Sequence, residues 1–223
     1  MLSHPFFDDR ADAGEKLAEA VADELGKFNL TAQKAVKPIV YALPRGGLPV
    51  AVPLARRLGC ALDVVVAKKI TRPDNLELAI GAATADGHVL WQKQIQPNLR
   101  LQKSALQQAE NSAQSLLADL ASGRPNVSAA GALAILVDDG IATGMTVAVA
   151  AQALQSQQPA ALWICAPVAP PELMGFLAKI ADKSIILETP HPFYSVSRFY
   201  VEFPQVETAE ALVCLQQQTE WRS

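Results

Sequence analysis

Residues 134–154 constrain the fold more than any other stretch. An apolar run, Ala134-Ile135-Leu136-Val137, meets two adjacent carboxylates, Asp138 and Asp139, and a turn of small residues then opens a second apolar stretch. A short apolar run bounded by polar turn residues reads as a buried strand, and 147–154 reads as the helix that follows it. A strand feeding a helix through a tight turn points the helix's free N–H groups and positive dipole end at one spot. Small residues there let an anion reach backbone amides, and Thr143 and Thr146 add hydroxyl donors. Ionised Asp138 and Asp139 are pure acceptors, suited to the vicinal hydroxyls of a sugar. A phosphate cradle beside a diol clamp describes a site for a phosphorylated ribose.

The run ILVDDGIATGMT resembles the phosphoribosyl-pyrophosphate (PRPP) signature of the type I phosphoribosyltransferases: an apolar strand, an acidic pair, two loop residues and a T-G-x-T turn. In that resemblance Asp138 and Asp139 take the acidic pair, and Ala142, Thr143, Gly144, Met145 and Thr146 take the phosphate loop. Gly140 departs from the aliphatic residue usual there. YALPRGGLPVA, ELAIGA and VDDGIATG look like a subgroup of predicted phosphoribosyltransferases of unassigned substrate. With FDDRADAG near the start and FYSVSRFYVEF near the end, the matches span most of the chain. The resemblance implies an α/β fold with a mostly parallel central sheet flanked by helices. It also implies a small hood from the N- and C-terminal segments and a flexible lid loop at about 70–98, all in one domain over 1–223.

The rest of the chain carries the same alternation. Helical spacing predicts helices over 11–28, 50–58 and 99–120, and a closing helix over 207–218. Strands are expected at 39–43, 62–67 (LDVVVA), 131–137, 160–167 and 183–187, with a helix starting near Pro170-Pro171-Glu172. Segments 79–84 and 88–91 are expected to pair as a hairpin around Asp86-Gly87. Alternating strands and helices argue a parallel sheet covered on both faces, whose ligands bind beyond the carboxyl ends of the strands.

The segments that follow the strands are therefore the candidates for chemistry. Arg45-Gly46-Gly47 joins a strand to a helix; glycines expose consecutive N–H groups, and Arg45 offers a planar fork to phosphate oxygens. The resemblance makes this the pyrophosphate loop. Lys68 and Lys69 leave the second strand with side chains on opposite faces, so one reaches the site and one faces away; alignment with adenine phosphoribosyltransferases favours Lys68. Glu77, beyond Arg72, is a candidate carboxylate for acceptor chemistry. Among the aromatic residues Phe193, Tyr194, Phe199 and Tyr200, the resemblance places Phe193 or Tyr194 nearest the acceptor base. Ala142 stands where hypoxanthine-guanine enzymes carry an Asp that handles a proton on the base, which disfavours a 6-oxopurine. His191, His4 and His88 show no partner in sequence.

The implied reaction is Mg²⁺-dependent displacement of pyrophosphate from PRPP by a nitrogenous base, or its reverse, in nucleotide metabolism. The catalytic residues would be Arg45, Lys68 and Glu77. Mg²⁺ would be carried by PRPP and water-bridged to Asp138 and Asp139 rather than held by a protein cage. The alternative is a non-catalytic PRPP- or nucleotide-binding regulatory protein. A net charge of −3 gives no electrostatic case for nucleic acid. No apolar run has membrane-span length, and the N-terminus lacks a signal pattern. Cys60, Cys165 and Cys214 are far apart in apolar surroundings, as expected of buried, reduced residues in a cytoplasmic protein. Homodimers are common in the family.

Overall fold

The computed structural model describes residues 5–31, 36–72, 74–92 and 99–222. In chain order these form α1 (Arg10–Thr31), β1 (Pro38–Ala42), α2 (Gly47–Leu58), β2 (Ala61–Val64), β3 (Ala67–Arg72), β4 (Asn75–Thr84), β5 (Val89–Trp91) and α3 (Leu99–Asp119). Then come β6 (Leu133–Val137), α4 (Met145–Ser156), β7 (Ala161–Val168), α5 (Met174–Ile180), β8 (Lys183–Glu188) and α6 (Thr208–Gln216).

Five of the apolar runs pair as a parallel sheet in the order β2-β1-β6-β7-β8. Every residue of β6 and β7 is buried, because strands covered on both faces have no polar side. Side chains alternate between two layers. Val40, Ile135 and Trp163 pack with Leu17 and Val21 of α1 and Leu48 and Leu54 of α2. Tyr41, Leu136 and Ile164 pack on the opposite face with Val147, Ala150 and Leu154 of α4. From β1 the chain winds through α2 to the β2 edge; from β6 it winds through α4 to the β8 edge. Neighbours β1 and β6 thus lead in opposite directions, and such a switch point leaves a crevice at the strands' carboxyl ends.

LDVVVA is not one strand. β2 ends at Val64, the Val65 N–H donates to the Ala42 carbonyl at 3.1 Å, and the Val66 carbonyl accepts from Ala85 at 3.0 Å. From Ala67 the chain enters a separate antiparallel sheet, β3-β4-β5. Val64 and Val66 are buried on both sides of the break, so the run's hydrophobicity reports burial and not the pairing partner. Lys68 and Lys69 consequently lie within β3 and do not cap a strand of the main sheet. The expected hairpin around Asp86-Gly87 is present, but β4 begins at Asn75, four residues before the expected start, and pairs on both edges. α3 covers this sheet, packing Ala105 and Ala109 on Ile70 and Ile80. Most of the described part of 70–98 is therefore strand; residues 73 and 93–98 lie outside the described residues.

The two terminal segments meet over the carboxyl-end side of the sheet. Phe6 and Phe7 donate to the Phe199 carbonyl at 2.9 and 3.1 Å, and Val201 donates to the Phe7 carbonyl at 2.9 Å. Phe7, Phe199 and Tyr200 form an aromatic cluster with Val168 at the end of β7. The three cysteines are free and buried, and burial pushes the Cys60 thiol up to about 12 and that of Cys214 to about 11. No described helix is long and apolar enough to cross a membrane.

Candidate functional site

At the switch point the loops after β1 and β6 lie against each other. The Leu43 N–H donates to the Val137 carbonyl at 2.8 Å. A side chain at position 46 would collide with the Asp139 carboxylate, and a Cβ at position 47 would stand 2.8 Å from the Val137 carbonyl oxygen. The PRGG glycines are thus explained by contact with the acidic pair: only a residue without a side chain lets α2 start this close to Asp139.

Both carboxylates are partly buried. Asp138 accepts the Asp139 N–H on Oδ1 at 2.9 Å. Burial raises the Asp138 carboxyl well above its usual range and the Asp139 charge raises it further, while Arg10 and Lys69 pull it down. Burial raises Asp139 as well, opposed by the charge and hydrogen bond of Arg10. Arg10, the first residue of α1, places Nε 2.8 Å from Asp139 Oδ2, and the Tyr200 hydroxyl donates to the Asp139 carbonyl at 2.6 Å. Arg10 and Tyr200 lie in stretches that matched the family pattern, yet no local spacing ties either one to Asp139.

Beside Asp139 opens a cavity of about 440 Å³ whose walls include Arg10, Arg45, Gly46, Lys68 and Phe203. Three cations and one carboxylate line it, so the cavity suits a multiply charged anion. Arg45 is steadied by the Thr208 hydroxyl at 3.2 Å and by Glu207 at 3.7 Å. Burial lowers the Lys68 ammonium from its usual value, and Arg45 lowers it further. Lys69 is exposed, yet its charge is felt by Asp138. Both lysines therefore act on the site's electrostatics, whereas Lys68 alone of the two lines this cavity.

The loop after Asp139 reaches α4 in one tight turn. Gly140 leaves room for Val196, which occupies the space a side chain there would take. The departure from the family's aliphatic residue is thus matched by an apolar side chain from the C-terminal segment. Ile141 is buried, with its N–H on the Val168 carbonyl at 2.9 Å, which fixes the base of the loop. Ala142 and Thr143 are exposed. Gly144 caps α4 with φ 75° and no side-chain cap, and Met145 and Thr146 form the helix's first turn. Uncapped first-turn N–H groups are donors for an anion.

Among the remaining expected residues, Phe193 and Tyr194 do not line this cavity. Glu77 lies on β4, and its side chain is outside the described residues. Phe193 packs on Phe199 with ring centres 5.1 Å apart, and Tyr194, 71% exposed, lies under the Arg198 guanidinium at 5.0 Å. The aromatic wall of the cavity is instead Phe203, whose ring lies 3.6 Å from the Arg10 guanidinium carbon. Among the described residues no group of three or more His, Cys, Asp or Glu is placed to hold a metal. Asp138 and Asp139 do supply the one or two carboxylates with which Mg²⁺ is commonly met when substrate phosphates complete its shell.

A family model described as phosphoribosyl transferase domain matches residues 9–193. The chain belongs to the type I phosphoribosyltransferase family. It is 34% identical over 213 residues to a Mycobacterium tuberculosis H37Rv protein named as a putative phosphoribosyl transferase, covering 94% of this chain and 46% of that one. The figures are the same for the strain CDC 1551 protein, so the chain spans about half the length of the curated relatives it matches. The crystal structure of TT1426 from Thermus thermophilus matches with a TM-score of 0.77 at 30% identity, covering 97% of this chain and 99% of that one. The phosphoribosyltransferase model takes in Arg10, Arg45, Lys68 and the acidic pair. Tyr200, Phe203 and Thr208, which brace that group, lie beyond the matched residues.

Proposed function

We propose that this phosphoribosyltransferase domain binds PRPP at the β1–β6 switch point and transfers its phosphoribosyl group to a nitrogenous base, or runs the reverse. The observation that carries the reading is the contact of Gly46 with Asp139, which puts a cation-lined cavity directly against the acidic pair. In this reading the 5-phosphate lies on residues 142–146 at the N-terminus of α4, where Thr143 and Thr146 add hydroxyl donors. Asp138 and Asp139 accept the ribose hydroxyls. The pyrophosphate occupies the cavity with Arg45, Lys68 and the amides of Gly46 and Gly47.

The ring nitrogen attacks C1 as the bond from C1 to pyrophosphate oxygen breaks. Positive charge grows on the ribose and negative charge on the departing group. The two carboxylates face the first and Arg45 and Lys68 face the second, so the site binds the separated charges better than the ground state. Asp138 and Asp139 would help to hold Mg²⁺ brought in with PRPP, and the ion would supply further neutralisation of the departing group. Calorimetric titration with PRPP, with and without Mg²⁺, tests the reading. Metal-dependent binding followed by base-dependent pyrophosphate release supports a transferase; binding with no turnover of any base supports a regulatory protein; no binding overturns both.

A further inference from the structure

We propose that Arg10 is a positioning residue for Asp139, holding Oδ2 against Gly46 so that the carboxylate meets a ribose hydroxyl in one fixed orientation. This rests on the PRPP reading of the site. The Arg10 guanidinium is held on three sides: Nε on Asp139 Oδ2 at 2.8 Å, one terminal nitrogen on the Pro204 carbonyl at 2.7 Å, and its carbon 3.6 Å from the centre of the Phe203 ring. Its side chain is only 10% exposed. The carboxylate, the carbonyl and the aromatic face together restrain its orientation. Asp139 is correspondingly confined, since its Oδ2 lies between Arg10 and the backbone at Gly46, and the Tyr200 hydroxyl fixes its carbonyl. The Asp138 side chain is hydrogen-bonded to the same carboxylate.

The arrangement fixes the orientation of the carboxylate before a ligand arrives. A single rotamer presented in advance spares the ordering cost that a freely rotating carboxylate would meet on binding. The charged and titratable groups around Asp139 are Arg10 from α1, Asp138 from its own loop, Tyr200 from the C-terminal segment, and Arg45 and Lys68 across the cavity, with Lys69 acting on Asp138. Arg10 is the cation in direct contact.

The test is a double-mutant cycle on PRPP affinity, read by calorimetry, across wild type, Arg10→Gln, Asp139→Asn and the double variant, with Arg10→Lys beside them. Arg10→Gln is expected to weaken PRPP by about tenfold to a hundredfold in the wild-type background and by less than about threefold in the Asp139→Asn background. Arg10→Lys keeps the charge without the planar contact and should still bind PRPP more weakly than wild type. Unchanged affinity in Arg10→Gln, or an equal loss in both backgrounds, overturns the proposal. Should Arg10→Gln fail to fold, wild-type PRPP affinity in Arg10→Lys overturns it. Wild-type protein that binds no PRPP overturns the reading of the site instead, and the same cycle on urea unfolding then decides whether Arg10 and Asp139 are coupled.

Discussion

Asp138 and Asp139 are adjacent in sequence but differ in what holds them. Asp139 has Arg10 against its carboxylate, whereas Asp138 has the Asp139 N–H and a neighbouring negative charge. Asp139→Asn removes an ionised acceptor while keeping its size, and should weaken PRPP by about 1.5–3 kcal/mol, read by calorimetry. Unchanged affinity and turnover would count against the diol clamp. Asp138→Asn carries a stability prediction of the opposite sign. A carboxyl whose folded-state value is raised takes up a proton on folding, so stability falls as pH climbs from the unfolded value through the folded one. As pH rises above the unfolded value the wild type loses that contribution, whereas the asparagine variant has nothing to lose. Urea unfolding should show the ligand-free variant more stable at neutral pH by roughly 0.5–2 kcal/mol, with the advantage gone in acid.

At the scale of elements, the site is made by a close approach: the start of α2 lies against the turn after β6. Gly46→Ala places a methyl group where the Asp139 carboxylate sits, so the loop or the carboxylate must move. The expected cost is about 1–3 kcal/mol, visible as a lower denaturation midpoint, together with weaker PRPP binding. A variant with both properties intact would show that the two loops are less tightly set than this contact implies. The main strands were readable because parallel strands are apolar throughout, and the acidic turn was readable because its residues are consecutive. LDVVVA misled for the same reason that the others succeeded: Val64 and Val66 are buried on either side of a change of sheet. Nothing in an apolar run records whether its next partner is β1 or β4.

The whole molecule ties its parts together with charges far apart in the chain. Asp63, on the edge strand β2, is fully buried and accepts from Arg124 at 2.7 and 3.3 Å and from the Val127 N–H at 2.9 Å. This pins the segment before β6 to the edge strand β2. Arg124→Ala leaves that carboxylate buried without its cation and should cost about 3–5 kcal/mol, measured by urea unfolding. A loss within the range of a surface substitution would show that the two backbone N–H groups on Asp63 suffice. The site is built the same way: the acidic pair is bordered by α1 at the N-terminal end and by Tyr200 and Phe203 near the other.

By itself the sequence determined the alternation of strands and helices, the phosphate-type turn with its two carboxylates and the PRGG loop, because each depends on neighbours within a few residues. The resemblance those stretches carry also pointed to the family. Only the tertiary structure decided that β3–β5 stand apart as a second sheet, that Lys68 faces the cavity beside Arg45, and that Val196 fills the space above Gly140. It alone joined Arg10 to Asp139, 129 positions apart. Local spacing encodes periodicity and turn chemistry; it cannot encode which distant charge meets which, since that follows from how the sheet is wound and where the terminal segments come to rest.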